Sequence, residues 1–507
     1  MVVRRASGFG LRWVLAGVGY ALLIAAWAFA SPLGAAPDEA AHTVRAAAAA
    51  VGQLQGRSVM PYDRTPQRTP AQADFLNAEA QQFTIPAGLA PPEPCFAGHA
   101  DRAASCVGAQ PTRRTTGTVT AVTYTTTAPP GAYALAGLAM GLPQQLLPPG
   151  YLGRLALALL CGLLLAAAAW AAGARGSLWP LAGLALAASP VVLFLSASLG
   201  PQGVTLAAAL CFTSALIAFW MGPPRRGLVP LLAVSGAVLA LASAAGPVYL
   251  AALMLLALPL VQPARLIPLG SLAGLLVVAA AGVAGVAWVL DHRLLPAGHG
   301  DVLAAVPVVL RAAPTVAQQA IGVFGWSDVT LPLAAYVAWG SLAVIGVATA
   351  LLLGRWRDRL ALALGVAGAF GVAVVAEAFV LSPVGWDLQG RYLAPVLGAL
   401  PIVAGFILQR AGVRPRADVF LLGAAVIALQ LLAFWENARR YAVGRHGPLA
   451  FLDTAQWTPP AGWLPWLGLA GAGGLLILLS LVPLTRAERD QEAHGPLVVV
   501  DPISVSR

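Results

Sequence analysis

Residues 12–42 read RWVLAGVGYALLIAAWAFASPLGAAPDEAAH: an apolar run from Trp13 to Ala30 that breaks at Ser31-Pro32 and ends on the acidic pair Asp38-Glu39. A helix that crosses a hydrocarbon core needs roughly 20 apolar residues, and this run, behind Arg4, Arg5 and Arg12, is such a stretch. The same pattern recurs along the chain. Of its 507 residues, 59% are hydrophobic and only 10% are charged, whereas a soluble domain averages about 25% charged. Mean hydropathy is +0.78, and the 54 glycines and 40 prolines follow no Gly-X-Y period. A soluble enzyme, a disordered tail and a collagen-like fibre are excluded. The net charge of +10 and pI near 10.1 would suit a nucleic-acid binder, but every basic residue is Arg, set in short clusters between apolar runs. That is the layout of loops in a multi-span membrane protein, with membrane lipids as partners and no nucleic acid.

Working outward from the first run, about twelve stretches read as transmembrane helices: 13–30, 151–173, 178–198, 203–221, 228–245, 247–262, 266–290, 331–353, 359–381, 394–410, 417–435 and 463–484. The fold class expected is an all-α polytopic membrane protein. The run 131–147, interrupted by Pro143, is short for a span and reads as a re-entrant or interfacial helix. Arg175, Arg225, Arg226, Arg265, Arg355, Arg357, Arg359, Arg410, Arg414, Arg416, Arg486 and Arg489 all fall on one side. The positive-inside rule makes that side, and both termini, cytoplasmic. Ala28-Phe29-Ala30 resembles a small-residue cleavage site. An uncleaved anchor is the preferred reading, because the residues just beyond it carry candidate chemistry.

Residues 1–484 then form a single transmembrane domain, followed by a cytoplasmic tail at 485–507. Long extracytoplasmic loops are expected within the domain at 31–130 and 291–330. The first is too long for a simple turn, and its Thr-, Pro- and Gln-rich middle has too few large apolar residues for a sizeable core of its own. It holds Cys95 and Cys106, on a side that permits disulfides; a bridge between them would close a short loop, worth on the order of 3 kcal/mol. Cys161 and Cys211 lie inside spans and read as small buried apolar residues. No CxxC, no metal-spaced His/Cys cluster and no Gly-rich phosphate loop occurs. The sequence leaves a divalent metal undecided.

Candidate chemistry gathers on the outer face. Pro37, Asp38 and Glu39 begin a helix well, and Asp38 and His42 are then i, i+4, with Arg45 on the same face. Two readings stay open: an interfacial helix with a favourable N-terminus, or a carboxylate poised at the membrane surface beside His42. Arg391, in Gln389-Gly390-Arg391-Tyr392, enters a span from the outer side against the charge trend. A guanidinium there holds a phosphate bidentately or snorkels to headgroups. Glu377 is an acid well inside an apolar run, where acids face a cavity or a partner; Arg391 is the partner expected. Phe324, Trp326, Trp386 and Tyr392 suit an aromatic belt as well as a binding site. His99, His292, His299 and His494 stand alone and are assigned nothing.

Four stretches, in order, resemble those of one family. They are Pro37-Asp38-Glu39-x-x-His42, the Pro190 to Gly203 region, Ile321-Gly322-Val323-Phe324-Gly325-Trp326-Ser327-Asp328, and Gln389-Gly390-Arg391-Tyr392-Leu393. The family is that of bacterial membrane proteins called domain of unknown function 2142. The chain departs from it at Gly200-Pro201-Gln202-Gly203, where an Asn-Pro-Asp/Asn-Gly-like turn is commoner, so the resemblance carries no polar-ligand role onto this turn.

The family looks like the wider group of GT-C glycosyltransferases. That resemblance implies a polyprenyl-phosphate-linked sugar donor and an outer-loop acid, at Asp38 or Glu39, acting as catalytic base or metal partner. The expected catalytic set is Asp38, Glu39 and His42; the expected substrate-binding set is Arg391, Tyr392, Gln389, Glu377, Trp326 and Asp328. The function this implies is sugar transfer to an envelope glycan, lipid or protein on the outer face of the bacterial cytoplasmic membrane. The alternatives are a lipid-linked sugar transporter or flippase, and a non-enzymatic envelope assembly protein.

Overall fold

The computed structural model describes residues 7–63, 68–107, 116–143, 147–173, 177–222, 225–266, 268–292, 300–415 and 417–483. The expected tail at 485–507, together with Arg4, Arg5, Arg175, Arg416 and His299, lies outside them. The protein is mostly helical. Among the described residues, eight helices are long and apolar enough to cross a membrane, or nine if the bent pair Trp179–Ala187 and Pro190–Ser196 counts as one span. Four of the expected spans are shorter apolar helices, Leu228–Ala242, Gly246–Leu260, Ala394–Arg410 and Leu464–Ser480.

The first helix, α1 (Ser7–Ala30), shows how the bundle is held. A methyl added at Gly19 would sit 2.7 Å from the carbonyl of Gly473, and one at Gly17 would sit 2.6 Å from Cβ of Ala166. Backbone-to-backbone approach through small residues is how apolar helices gain packing where burial from water is not the driving force. Pro201–Met221 runs wholly enclosed among its neighbours.

Two helices depart from the sequence reading. The expected span 178–198 is broken and bends by 68°. Pro190 has no N–H to continue the ladder, and at the break the Gln430 amide donates to the Ala188 carbonyl at 2.6 Å. Val302–Gly322, inside the expected loop 291–330, is long and apolar enough to be a span, although it carries Pro307 and Pro314. Its contacts place it differently. Gly300, just before it, packs on the Phe379 ring, and Gln319, near its end, accepts from the Gly390 N–H at 2.8 Å. Phe379 and Gly390 both lie at or just past the end of the helix Trp356–Val384. A helix of this length measures about 31 Å, so with both ends on one helix terminus it runs across that terminus.

Residues between α1 and Gly131 build a small cap. Helix α2 (Glu39–Ala50) leads into β1 (Arg57–Ser58), the helix Pro70–Glu79, β2 (Gln81–Pro86) and β3 (Thr118–Thr123). The strands form an antiparallel sheet in the order β1-β2-β3, with Gln81 opposite Thr123. Thr69 and Gln72 close a capping box that starts the cap helix. The interfacial helix expected near 131–147 is Gly131–Met140, packed on α2 where Gly137 meets the Ala46 carbonyl. Phe83 and Ile85 of β2 join the bundle core. Around the Cys95–Cys106 disulfide, Phe96 and Ala104 pack on Tyr441 of the long helix Ala417–Val443. The cap has no core apart from the bundle.

Glu79 is buried in the cap, held by the Thr126 hydroxyl at 3.3 Å. Burial pushes its carboxyl up to about 7, against the opposing effect of that hydrogen bond. The folded state therefore favours the neutral acid. Its stabilising contribution is complete below the unfolded value of 4.5 and is lost as pH rises to about 7. Glu79→Gln keeps an acceptor for Thr126 and removes the titration. It should raise the melting temperature of the purified protein by a few degrees at pH 8 and leave it unchanged at pH 4; an equal shift at both pH values would refute this origin.

Candidate functional site

The adjacent acids Asp38 and Glu39 part company. Glu39 opens α2 and turns inward. Its carboxylate takes a bidentate pair from Arg154, Nε and Nη2 both at 2.6 Å, and accepts the N–H groups of Gly34 and Leu199 at 2.9 Å. Arg154 places its remaining N–H groups on the carbonyls of Ala28, Ser31 and Pro32, at 2.6 to 2.8 Å. Both side chains are 98–99% buried. A guanidinium has five N–H donors, and here all five are engaged. The expectation that Glu39 belongs to the catalytic set is corrected: no oxygen of it is open to a substrate.

Asp38 is the N-cap of α2, held at φ 63 with no side-chain cap bond. Left-handed backbone is uncommon outside Gly, and Asp is among the residues that tolerate it. Instead of capping α2, its carboxylate accepts the Tyr124 hydroxyl at 2.8 Å on Oδ1 and faces Arg391 Nη2 at 3.9 Å across Oδ2. It is 34% exposed. Tyr124 follows β3, and the Thr123 hydroxyl binds the Ala41 carbonyl of α2 at 2.8 Å, so the cap sheet delivers the tyrosine to the acid.

Arg391 is enclosed but loosely held. Nη1 lies 3.5 Å from Oε1 of Gln202, Nη2 lies 3.3 Å from the Tyr392 hydroxyl, and buried Nε has no hydrogen-bond partner among the described residues. Its acid is Asp38, which corrects the expected pairing with Glu377. Glu377 is buried elsewhere, at the start of a π-helical turn Glu377–Leu381, with Oε2 unpartnered and the like charge of Asp387 as its neighbour. Gln202 belongs to the Gly200-Pro201-Gln202-Gly203 turn, onto which the resemblance carries no polar-ligand role; here it meets Arg391.

His42 Nδ1 and the Tyr133 hydroxyl share a hydrogen bond at 2.9 Å, and that hydroxyl also lies 3.4 Å from the Thr125 carbonyl. Nε2 lies beside Gly200. Burial holds the imidazole down to about 4, with Arg391 lowering it further while Asp38 and Glu39 raise it. It is neutral at pH 7. Arg45, on the same helix, is buried over the rings of Phe83 and Tyr133.

Asp328 and Trp326 serve the frame. Asp328 accepts from Arg440 at 2.6 and 3.0 Å, and Arg440 also binds the carbonyls of Phe96, His99 and Arg102 in the disulfide loop. The expected substrate contact at Asp328 is corrected to this clamp. Trp326 Nε1 donates to the Gly34 carbonyl at 3.2 Å. Gln389 lines a small pocket with Arg391, Pro37, Gln319 and Phe194. Arg154, Tyr124, Gln202 and Arg440 are absent from the sequence-derived set. Only Arg154 leaves a signal, as a charge inside a predicted span.

Beyond Gln319, across the wall formed by the end of Val302–Gly322, lies an apolar cleft of about 460 Å³. Trp339, Ala343, Val347 and Leu351 line it along one helix, over about 18 Å, with Ala320 and Leu397 opposite. Ser189 is its single polar lining residue. Among the described residues no three His, Cys, Asp or Glu side chains converge on a metal position.

Fold and site together define a multi-pass helical membrane protein with a polar site at one end of its bundle. The chain matches, over residues 21–400, the sequence profile of a family described as "Predicted membrane protein (DUF2142)", and it belongs to that family. No curated protein matches it significantly. Among solved structures it is similar to ArnT from Cupriavidus metallidurans bound to undecaprenyl phosphate, at 15% identity and TM-score 0.42, over 94% of this chain and 77% of that one. ArnT from the same organism in the apo state shares 19% identity at TM-score 0.34, over 70% and 66%. At these scores neither fixes the fold or activity of this chain.

The two acids should separate by measurement. Glu39→Gln leaves a buried guanidinium uncompensated and should cost about 3–5 kcal/mol, seen as loss of monodisperse protein on size exclusion. Asp38→Asn keeps an acceptor for the Tyr124 hydroxyl and alters only a 3.9 Å approach to Arg391, so it should cost far less and leave the protein monodisperse. Equal losses would overturn the division of roles.

Proposed function

We propose that this protein is a GT-C type membrane glycosyltransferase that takes a sugar from a polyprenyl-phosphate carrier. The observation that carries this reading is the placement of Asp38 and loosely held Arg391 across one wall from a long apolar cleft. The cleft takes the apolar carrier chain; Arg391, with Tyr392 and Gln202, takes its phosphate; Asp38 faces the sugar. The acceptor hydroxyl oxygen attacks the anomeric carbon, and its proton passes to Asp38. The bond from that carbon to the phosphate oxygen breaks with its electron pair leaving on the polyprenyl phosphate. Arg391 offsets the charge that develops there, the kind of preset electrostatic contact that lowers such barriers. Glu39 is a positioning residue, and neutral His42 offers a hydrogen-bonding group at Nε2 to a substrate hydroxyl.

The same reading has twelve passes, counting the bent pair once and setting Val302–Gly322 along the surface. The site faces the extracytoplasmic side of the bacterial cytoplasmic membrane, and both termini lie inside. The positive-inside rule supports this orientation, since the Arg-rich short loops follow alternate passes. Reporter fusions after Arg226 and Arg359 should both read inside; one outside result overturns the orientation.

Activity is tested with purified full-length protein, polyprenyl-phosphate-linked sugars and envelope fractions from a deletion strain. Asp38→Asn should lower transfer by about 10²–10⁴-fold, the usual range for loss of a general base. Arg391→Lys keeps charge but loses the planar fork, and should raise the donor KM with normal folding. Near wild-type transfer by Asp38→Asn in folded protein would remove Asp38 as the base.

A further inference from the structure

Three side chains, none of them in the lining of the apolar cleft, lead away from Asp38. Tyr124, whose hydroxyl binds Asp38, meets the ring of Tyr62 at 6.0 Å and an interplanar angle of 75°. The Arg68 guanidinium stands 5.1 Å from the Tyr62 ring centre. All three are half-buried, and neither tyrosine belongs to an apolar cluster of the protein. None of them lines the cleft. Packing the core therefore does not account for them.

Their placement is built. The Asn77 side chain clamps the backbone of Tyr62 in both directions, accepting its N–H at 2.9 Å and donating to its carbonyl at 2.8 Å. Asn77 lies on Pro70–Glu79, and Gln72 of that helix donates to the Gly385 carbonyl at 3.1 Å. Phe75 of the same helix packs edge-on against Trp386 at 4.9 Å. The segment so gripped, Gly385 to Arg391, is the one that carries the phosphate-facing arginine. Tyr62 is thus set in register with Arg391 through a chain of fixed contacts, and Tyr124 is set by Asp38 itself.

We propose that Tyr124, Tyr62 and Arg68 form the acceptor wall of this site, and that the acceptor presents a sugar ring to it. The proposal rests on the transferase reading and adds the acceptor's chemical class. A sugar ring has an apolar C–H face and an edge of hydroxyls. Tyrosine offers the matching pair, a flat apolar body with a polar tip, and a few fixed polar groups orient a ligand on such a surface. The Tyr62 ring packs on the C–H face, Arg68 donates to ring hydroxyls, and Asp38 accepts from the one that reacts. A lipid chain would need continuous apolar surface, which this wall lacks. Donor and acceptor then reach Asp38 along separate surfaces.

The test uses purified full-length protein in detergent and saturation-transfer NMR with cellotetraose, maltotetraose and α-1,6-mannotetraose, with tetraglycine as the peptide control. At least one tetrasaccharide should show ring-proton saturation, lost by about tenfold in affinity in Tyr62→Ala and restored in Tyr62→Phe. In the transfer assay Tyr62→Ala should raise the acceptor KM about tenfold while the donor KM stays at the wild-type value. Saturation of no sugar, equal saturation in Tyr62→Ala, preferential binding of tetraglycine, or a donor KM that rises in step overturns the wall. Sugar binding that needs Tyr62, in a protein without transfer to any envelope fraction, would keep the wall and remove the transferase reading.

Discussion

The carboxylate of Glu39 and the guanidinium of Arg154 meet at 2.6 Å with both side chains out of solvent, and the site end of the bundle is arranged around them. Two bare charges in such a place would each carry several kcal/mol of desolvation, which attraction offsets only when every remaining donor and acceptor is satisfied. Arg154 meets that condition with the carbonyls of Ala28, Ser31 and Pro32, and Glu39 with the N–H groups of Gly34 and Leu199. The satisfaction of one ion pair therefore fixes the exit from α1, the loop into α2 and the turn before Pro201–Met221. Asp38, one residue before Glu39, inherits its left-handed backbone from that closure, and its carboxylate is aimed outward as a result.

Three arginines at this end show a graded commitment. Arg154 is saturated at 2.6 to 2.8 Å. Arg440 is nearly as full, gripping Asp328 and three carbonyls of the disulfide loop between 2.6 and 3.1 Å. Arg391 holds its partners at 3.3, 3.5 and 3.9 Å and leaves Nε without one. An enclosed cation with such long contacts has hydrogen-bonding capacity in reserve for an anion. The framework arginines lack that reserve, so similar charges in one region differ in how much of their hydrogen bonding the fold consumes.

Much of this was legible in the residues, and the rest was hidden for identifiable reasons. Apolar runs announce helices because membrane helices need sustained hydrophobicity, and Arg391 stood out because it runs against the charge trend; both signals are one-dimensional. The choice between Asp38 and Glu39 is not, since neighbours in sequence point to different sides of a helix start and only the backbone angle decides which turns inward. Arg154 sat unremarked inside a predicted span, although a guanidinium there requires an acid, and the acid was the one read as catalytic. Glu377 and Arg391 looked like partners because each needs one, but need does not set distance. The bend at Ala188-Ser189 was signalled by Pro190, yet an uninterrupted apolar composition masked it.

The division of labour between bundle and cap follows from what each can stabilise. The bundle offers apolar surface and so supplies the long cleft; it cannot supply exposed polar groups without the cost of burying them. The cap is polar and lacks a core, so it cannot hold its shape alone. It borrows Phe83 and Ile85 packing from the bundle core and leans its disulfide loop on Arg440 and Tyr441. In return it carries Tyr124 to Asp38 and Gln72 to the segment before Arg391. The site is complete only where the two meet, since Arg391 comes from the bundle and the partner that orients Asp38 comes from the cap. A change that loosens the cap therefore acts on Asp38 without touching it, through the hydroxyl that holds Oδ1.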